Sequence, residues 1–168
     1  MNKTSKHKVW IGLGTNLGHR IQNLENALKA MEDYGCSIKA VSHIYESEPW
    51  GFESKHTFFN QSIVVETNHS AVELLKILKE IEMNSGRKYK KGEYIDRIID
   101  LDILFYEDKV IQSDSLIIPH PLLHERLFVL YPLAEISPGK KHPVSGKTVS
   151  ELLNDCIDPC SIRQLSIK

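Results

Sequence analysis

Apolar side chains recur along this chain at two spacings, every second residue and every third to fourth, and the switches between them mark out elements. Residues 8–14 (KVWIGLG) predict a first strand. Ile21, Leu24, Leu28 and Met31 predict an amphipathic helix over residues 20–34, ended by Gly35. Residues 37–45 (SIKAVSHIY) alternate as a second strand, and residues 58–67 (FFNQSIVVET) predict a third. Ser70 and Glu73 form a capping box. It opens a helix with Leu74, Leu75, Leu78 and Ile81 on its buried face, ending near Ser85 and Gly86. Residues 98–106 (IIDLDILFY) predict a fourth long strand, buried on at least one face. The order to this point is βαββαβ.

Two long connections interrupt it. Residues 46–57 (ESEPWGFESKHT) and 87–97 (RKYKKGEYIDR) carry charges, aromatics, Pro and Gly. Loops of about a dozen residues inside compact domains are usually functional. Beyond the fourth strand, residues 109–112 suggest a short edge strand, and residues 117–121 (IIPHP) break regular structure. Residues 122–136 predict a helix with Leu127, Leu130, Leu133 and Ala134 on one face and a kink at Pro132. A second capping box, Thr148 to Glu151, opens a last short helix before a loose tail.

At 168 residues the chain is long enough to bury a core, and a single domain over residues 1–168 is expected, with loose termini at 1–7 and 160–168. The net charge of -1 supplies no field to gather nucleic acid or an anionic membrane. No apolar run approaches the ~20 residues of a membrane span, and no signal peptide is expected at the basic N-terminus. Cys36, Cys156 and Cys160 fit neither a disulfide framework nor a common zinc spacing, so free thiols in a cytoplasmic protein are expected.

The chemistry concentrates in the fourth strand. Strand alternation turns Asp100 and Asp102 to one face and Leu101 to the other. Two carboxylates side by side in an apolar strand repel each other and resist desolvation. A divalent cation removes both difficulties, and Mg²⁺ suits one or two carboxylates with water and phosphate completing its shell. The alternative is a pair exposed at the strand end or salt-bridged to Arg87 or Arg97. A basic loop precedes the pair, and His120 and Arg126 follow it. Cations, a metal and no evident covalent nucleophile suggest phosphoryl-type transfer, in which positioning and electrostatics dominate. RNA-recognition domains share the βαββαβ order, but they present aromatics and cations on the sheet rather than paired carboxylates. A ligand-sensing domain of the same order has no need of these residues together. Gly12 and Gly14 at the end of the first strand, with Gly18 beyond it, have neither the spacing of a dinucleotide fingerprint nor the Lys of a P-loop, and predict a tight turn into the helix.

Several segments together resemble the 6-hydroxymethyl-7,8-dihydropterin pyrophosphokinases of folate biosynthesis. They are residues 12–18 (GLGTNLG), 45–51 (YESEPWG), 59–61 (FNQ), 97–103 (RIIDLDI), 118–126 (IPHPLLHER) and 128–136 (FVLYPLAEI). The resemblance implies a ferredoxin-like α+β sandwich with an antiparallel sheet and extra C-terminal helices. It implies transfer of pyrophosphate from ATP to the pterin's hydroxymethyl oxygen, with release of AMP. Asp100 and Asp102 match the ligands of two Mg²⁺ ions. Arg87, Arg97, His120 and Arg126 match positions that contact ATP phosphates or support the transfer, Glu82 an acidic residue beside the nucleotide, and Ile103 a residue near the adenine. Phe58 and Phe128 match the aromatics that sandwich the pterin, Asn60 a side chain on its polar edge, and Ser47 and Trp50 a loop lining its pocket. The expected partners are these small molecules alone, with the chain a monomer. This sequence departs from the family at Tyr89, Tyr94, Ile95-Asp96, Glu48 and Leu122-Leu123, mostly in the two long loops.

Overall fold

The computed structural model describes residues 6–88 and 93–166; Tyr89, Lys90 and Lys91 of the basic loop lie outside them. The elements are β1 (His7–Thr15), α1 (Arg20–Asp33), β2 (Ser37–Val41), β3 (Tyr45–Ser47), β4 (Phe58–Thr67), α2 (Ala71–Asn84) and β5 (Asp100–Tyr106). They continue with β6 (Ile111–Gln112), β7 (Ile117–Ile118), α3 (Leu127–Ile136), α4 (Val149–Asp155) and β8 (Ile162–Gln164). The main sheet runs β5-β1-β4-β3-β8, with β2 also paired to β4, and its pairings are antiparallel. The chain order and this strand order together make the expected ferredoxin-like sandwich.

Each sheet face has its own core. Val9, Ile11, Leu13, Ile63, Val65 and Leu101 pack against Leu24, Met31, Leu74, Leu78 and Ile81 of α1 and α2. Trp10, Val64, Leu104 and Phe105 pack against Leu130 and Leu133 of α3 and Val149 and Leu152 of α4. Both capping boxes form: Ser70 and Thr148 each accept from the N–H of the third helical residue, whose glutamate bonds back.

Four expectations need correction. The second strand is broken at residues 42–44, where Ser42 instead exchanges hydrogen bonds with Ser62 and accepts from the Gln61 amide. The tail is not loose: β8 pairs with β3, and Asp158 Oδ2 accepts from Leu127 N at the start of α3. Residues 117–118 form β7, paired with β6, ahead of a cis peptide bond at Pro119. Gly12 and Gly14 lie within β1 rather than in a turn; Gly18, with a φ of 67°, does turn the chain. Among the described residues no helix is long and apolar enough to cross a membrane.

Candidate active site

Side-chain size falls along the α3-facing side of the sheet. Trp10 and Val64 fill it at one end; Gly12 and Gly14 on β1, with Asn60 and Ser62 on β4, leave it hollow at the other. Two rows cross β4, β1 and β5 in register, Ser62–Gly12–Asp102 and Asn60–Gly14–Asp100. The glycines keep the floor between the acidic strand and the polar strand open. The resulting cavity holds about 330 Å³ and is lined by both aspartates, Arg87, Arg97, His120, Arg126, Ser47, Trp50, Phe58, Asn60 and Phe128.

At the β5 end the two carboxylates differ. Asp100 is ion-paired to Arg87 at 2.5 Å and to Arg97 at 2.7 Å. Burial alone would raise its pKa, yet the two guanidinium charges outweigh burial and lower it. The Asp102 carboxylate makes no hydrogen bond or ion pair among the described residues. Burial, and then the charge of Asp100, push its pKa up to about 7. Both alternatives from the sequence are therefore present at once, one carboxylate salt-bridged and the other open to a cation. No third His, Cys, Asp or Glu joins them in a cluster among the described residues.

Behind the pair, Glu82 is fully buried and holds the framework together. Its Oε1 accepts from Leu101 N at 2.7 Å and lies 2.6 Å from Arg87, and its Oε2 lies 3.2 Å from Lys79 Nζ. Glu82 is not among the cavity-lining residues. Ile103 is buried on the α1 and α2 side, so its side chain does not reach the cavity expected to take the adenine. What Ile103 can offer a nucleotide is its main chain on the outer edge of β5, by the same alternation that turns the Leu101 N–H outward to Glu82.

His120 N–H donates to Leu104 O, which fixes the turn against β5. Its Nδ1 accepts from Leu122 N at 3.2 Å, so the neutral ring carries its proton on Nε2. Burial, and then the Arg126 charge, lower its pKa to about 4. Arg126 is buried with its guanidinium carbon 4.3 Å from the Trp50 ring centroid and 5.6 Å from that of Phe128. It also donates to the Tyr94 hydroxyl at 3.1 Å, and Trp50 meets Tyr94 edge-on at 6.3 Å. The two long loops thus meet over the start of α3.

At the β4 end, Asn60 Nδ2 donates to Tyr45 O and to Ser47 Oγ, the latter at 2.8 Å. A backbone carbonyl accepts only, which fixes the amide's orientation. Both amide protons are used, so Asn60 offers a ligand its acceptor Oδ1 rather than the donor-and-acceptor pair expected of it. Ser47 accepts from Asn60 and keeps its own proton to donate. Sequence reasoning missed Lys79, Ser62 and Leu104 of the lining. It also missed Asn16, which ties the two loops together: its side chain donates to His56 O and Asp96 Oδ1 and accepts from Arg97 N. Lys79 was legible in principle, one turn before Glu82 on the same helix face.

The family of 7,8-dihydro-6-hydroxymethylpterin-pyrophosphokinases matches residues 10–138, which contain both rows of the cavity floor and its basic rim. The chain belongs to this family. It is 40% identical over 143 residues to the 2-amino-4-hydroxy-6-hydroxymethyldihydropteridine pyrophosphokinase of Aquifex aeolicus, covering 85% of this chain and 88% of that one. It is 37% identical over 145 residues to the protein of the same name from Bacillus subtilis, covering 85% and 86%. It is also 40% identical to the folic acid synthesis protein fol1 of Pneumocystis carinii, covering 94% of this chain but 21% of that longer protein. Among solved structures, wild-type Plasmodium falciparum HPPK-DHPS with pteroate superposes with a TM-score of 0.72 at 19% identity, over 90% of this chain and 44% of that one. This last likeness is one of fold.

Proposed function

We propose that this chain transfers pyrophosphate from ATP to the hydroxymethyl oxygen of 6-hydroxymethyl-7,8-dihydropterin and releases AMP. The observation that carries the reading is the two-ended cavity. One end is acidic and basic together (Asp100, Asp102, Arg87, Arg97), and the other pairs aromatic faces with a fixed amide (Phe58, Phe128, Asn60). A nucleoside polyphosphate suits the first end and a flat polar heterocycle the second.

The acidic pair fits Mg²⁺. Asp102 is a hard oxygen donor on a rigid strand with no partner to give up, and two protein carboxylates leave the rest of a shell to water and phosphate oxygens. Two Mg²⁺ ions on Asp100 and Asp102, when bound, would supply positive charge to the phosphate oxygens and offset the mutual repulsion of the pair. The chain's own cations supply the rest. Arg87 and Arg97, fixed by Asp100, face the same phosphate space, and a neutral His120 donates its Nε2–H without adding charge. Between Phe58 and Phe128 a pterin ring gains apolar burial and quadrupole contact. Asn60 Oδ1 accepts from the ring's N–H groups and the Ser47 hydroxyl donates to its acceptors. Trp50 and Tyr94 meet around Arg126 on the wall of the same cavity, beside the phosphate and pterin ends.

The test is a product assay with ATP, Mg²⁺ and 6-hydroxymethyl-7,8-dihydropterin. Pterin-dependent AMP is expected. ADP in its place would keep a phosphoryl-transfer site and overturn the pyrophosphoryl reaction, and the absence of both products from folded protein would overturn the substrate assignment.

A further inference from the structure

Helix α3 carries Phe128 and is entered from Arg126, and both residues line the cavity. The cap position of a helix is ordinarily filled by Ser, Thr, Asp or Asn, whose side-chain oxygen takes one of the first free N–H groups. Here that position is Arg126, whose guanidinium can only donate and makes no capping bond. No acidic residue stands in the first turn either. The acceptor comes instead from 31 residues further along the chain: Asp158 Oδ2 takes the Leu127 N–H at 3.0 Å, between the two cavity residues. Asp158 Oδ1 accepts from Cys160 N at 3.0 Å, so both carboxylate oxygens are engaged. The same tail then runs into β8. There Ile162 pairs with Ser47 and Gln164 with Tyr45, the two β3 residues to which the Asn60 amide donates. Arg163 donates to Glu46 between them, and Leu165 N to Ile44 O. One short segment thus joins the α3 side of the pterin end (Phe128) to its β3 side (Ser47, Asn60) without itself lining the cavity.

We propose that Asp158 is a positioning residue for the pterin site, its bond to Leu127 N setting the place of Phe128 relative to Ser47 and Asn60. The inference rests on the pterin reading of this end of the cavity. Loss of the bond leaves the Leu127 N–H without its acceptor and frees the first turn of α3, the turn that carries Phe128. The Arg126 guanidinium is less affected, because Trp50 and Tyr94 hold it from the two long loops. Thr148 supplies the matched case, a bond of the same kind on a helix that bears no cavity residue.

The test compares Asp158→Ala, Asp158→Asn and Thr148→Ala by calorimetric titration with 6-hydroxymethyl-7,8-dihydropterin and, separately, with a non-hydrolysable ATP analogue and Mg²⁺, alongside thermal melting of the free proteins. Both alanine variants remove a capping bond and should lower Tm by a similar few degrees. Asp158→Ala alone should lower pterin affinity, several-fold to about tenfold, with a smaller change in nucleotide affinity. Asp158→Asn keeps an oxygen for the Leu127 N–H and should recover most of that loss. Unchanged pterin affinity in Asp158→Ala, whatever its Tm, would overturn the proposal and leave Asp158 as a cap alone. An equal fall in Thr148→Ala, or equal loss of both ligands in Asp158→Ala, would overturn it as a general loosening of the fold. An Asn variant no better than the Ala variant would overturn the hydrogen bond as the cause. Wild-type protein that binds no pterin would instead overturn the substrate reading on which the proposal rests, and that outcome is read from the wild type alone.

Discussion

Asp100 and Asp102 occupy equivalent positions in the strand pattern, yet their substitution has opposite consequences for stability. Asp100 pairs with two partly buried guanidinium groups, so Asp100→Asn leaves Arg97 short of charge compensation while Arg87 keeps Glu82, and is expected to cost about 1–3 kcal/mol of stability in the free protein. Asp102→Asn removes a charge that burial and Asp100 already oppose, and is expected to leave stability level or raised. Both should lower turnover by roughly 100-fold or more. Chemical denaturation beside an AMP-release assay separates the two effects, and equal destabilisation by both substitutions would refute the asymmetry. The alternation that puts the two aspartates on one face was legible in the sequence. The difference between them was not, because it depends on where Arg87 and Arg97 arrive from outside the strand.

His120 yields a prediction about pH. Its folded-state pKa is depressed, so the unfolded chain takes up a proton from about pH 6.5 downward while the folded chain does so only near pH 4. The stability it contributes is complete above pH 6.5 and is lost as the pH falls through about 4. An imidazole nitrogen NMR titration should show His120 neutral, protonated on Nε2, throughout pH 6–8. Substitution with Gln should flatten the acid limb of the stability profile. A midpoint near 6.5 for this ring would contradict the burial argument.

At the scale of elements, the features legible in sequence were those whose cause is local. The two capping boxes needed only a hydroxyl and a glutamate three residues apart, and both formed. The break in the second strand and the pairing of the tail depend on distant partners: Ser42 on Gln61 and Ser62, and β8 on the equally short β3. Three residues carry no periodicity to read. Thr148→Ala, which removes a cap from a helix bearing no site residue, should cost about 1 kcal/mol and lower Tm by a few degrees, with kcat and KM unchanged. In β1 the expectation reverses. A Cβ added at Gly14 would lie 3.6 Å from Asn60 Oδ1 and 3.8 Å from the Phe58 ring, both ordinary contacts. Gly14→Ala should therefore fold normally but place a methyl group on the cavity floor, raising the KM for pterin several-fold and leaving Tm nearly level. A matching fall in Tm would assign the glycine to packing rather than to the shape of the cavity.

Over the whole molecule, segments far apart in sequence converge at one point. Trp50 comes from the first long loop, Tyr94 from the second and Arg126 from the start of α3, while Asn16 ties both loops to the end of β1. Asp96 in the second loop accepts there from Asn16 at 2.7 Å. The contact over Arg126 forms part of the cavity wall, so a bound substrate is expected to lie against it. The chain has two tryptophans, and they are placed to report separately. Trp10 is buried under α3, with its Nε1 donating to Ser137 Oγ at 2.8 Å, and does not line the cavity. Trp50 stacks on Arg126 in the cavity wall itself. Adding pterin and a non-hydrolysable ATP analogue with Mg²⁺ should therefore change the intrinsic fluorescence through Trp50 alone. In Trp50→Phe the remaining emission should stay constant on ligand addition, while titration calorimetry still detects binding. A ligand-dependent change that persists in Trp50→Phe would place the motion in the α3 core instead of at the meeting of the loops.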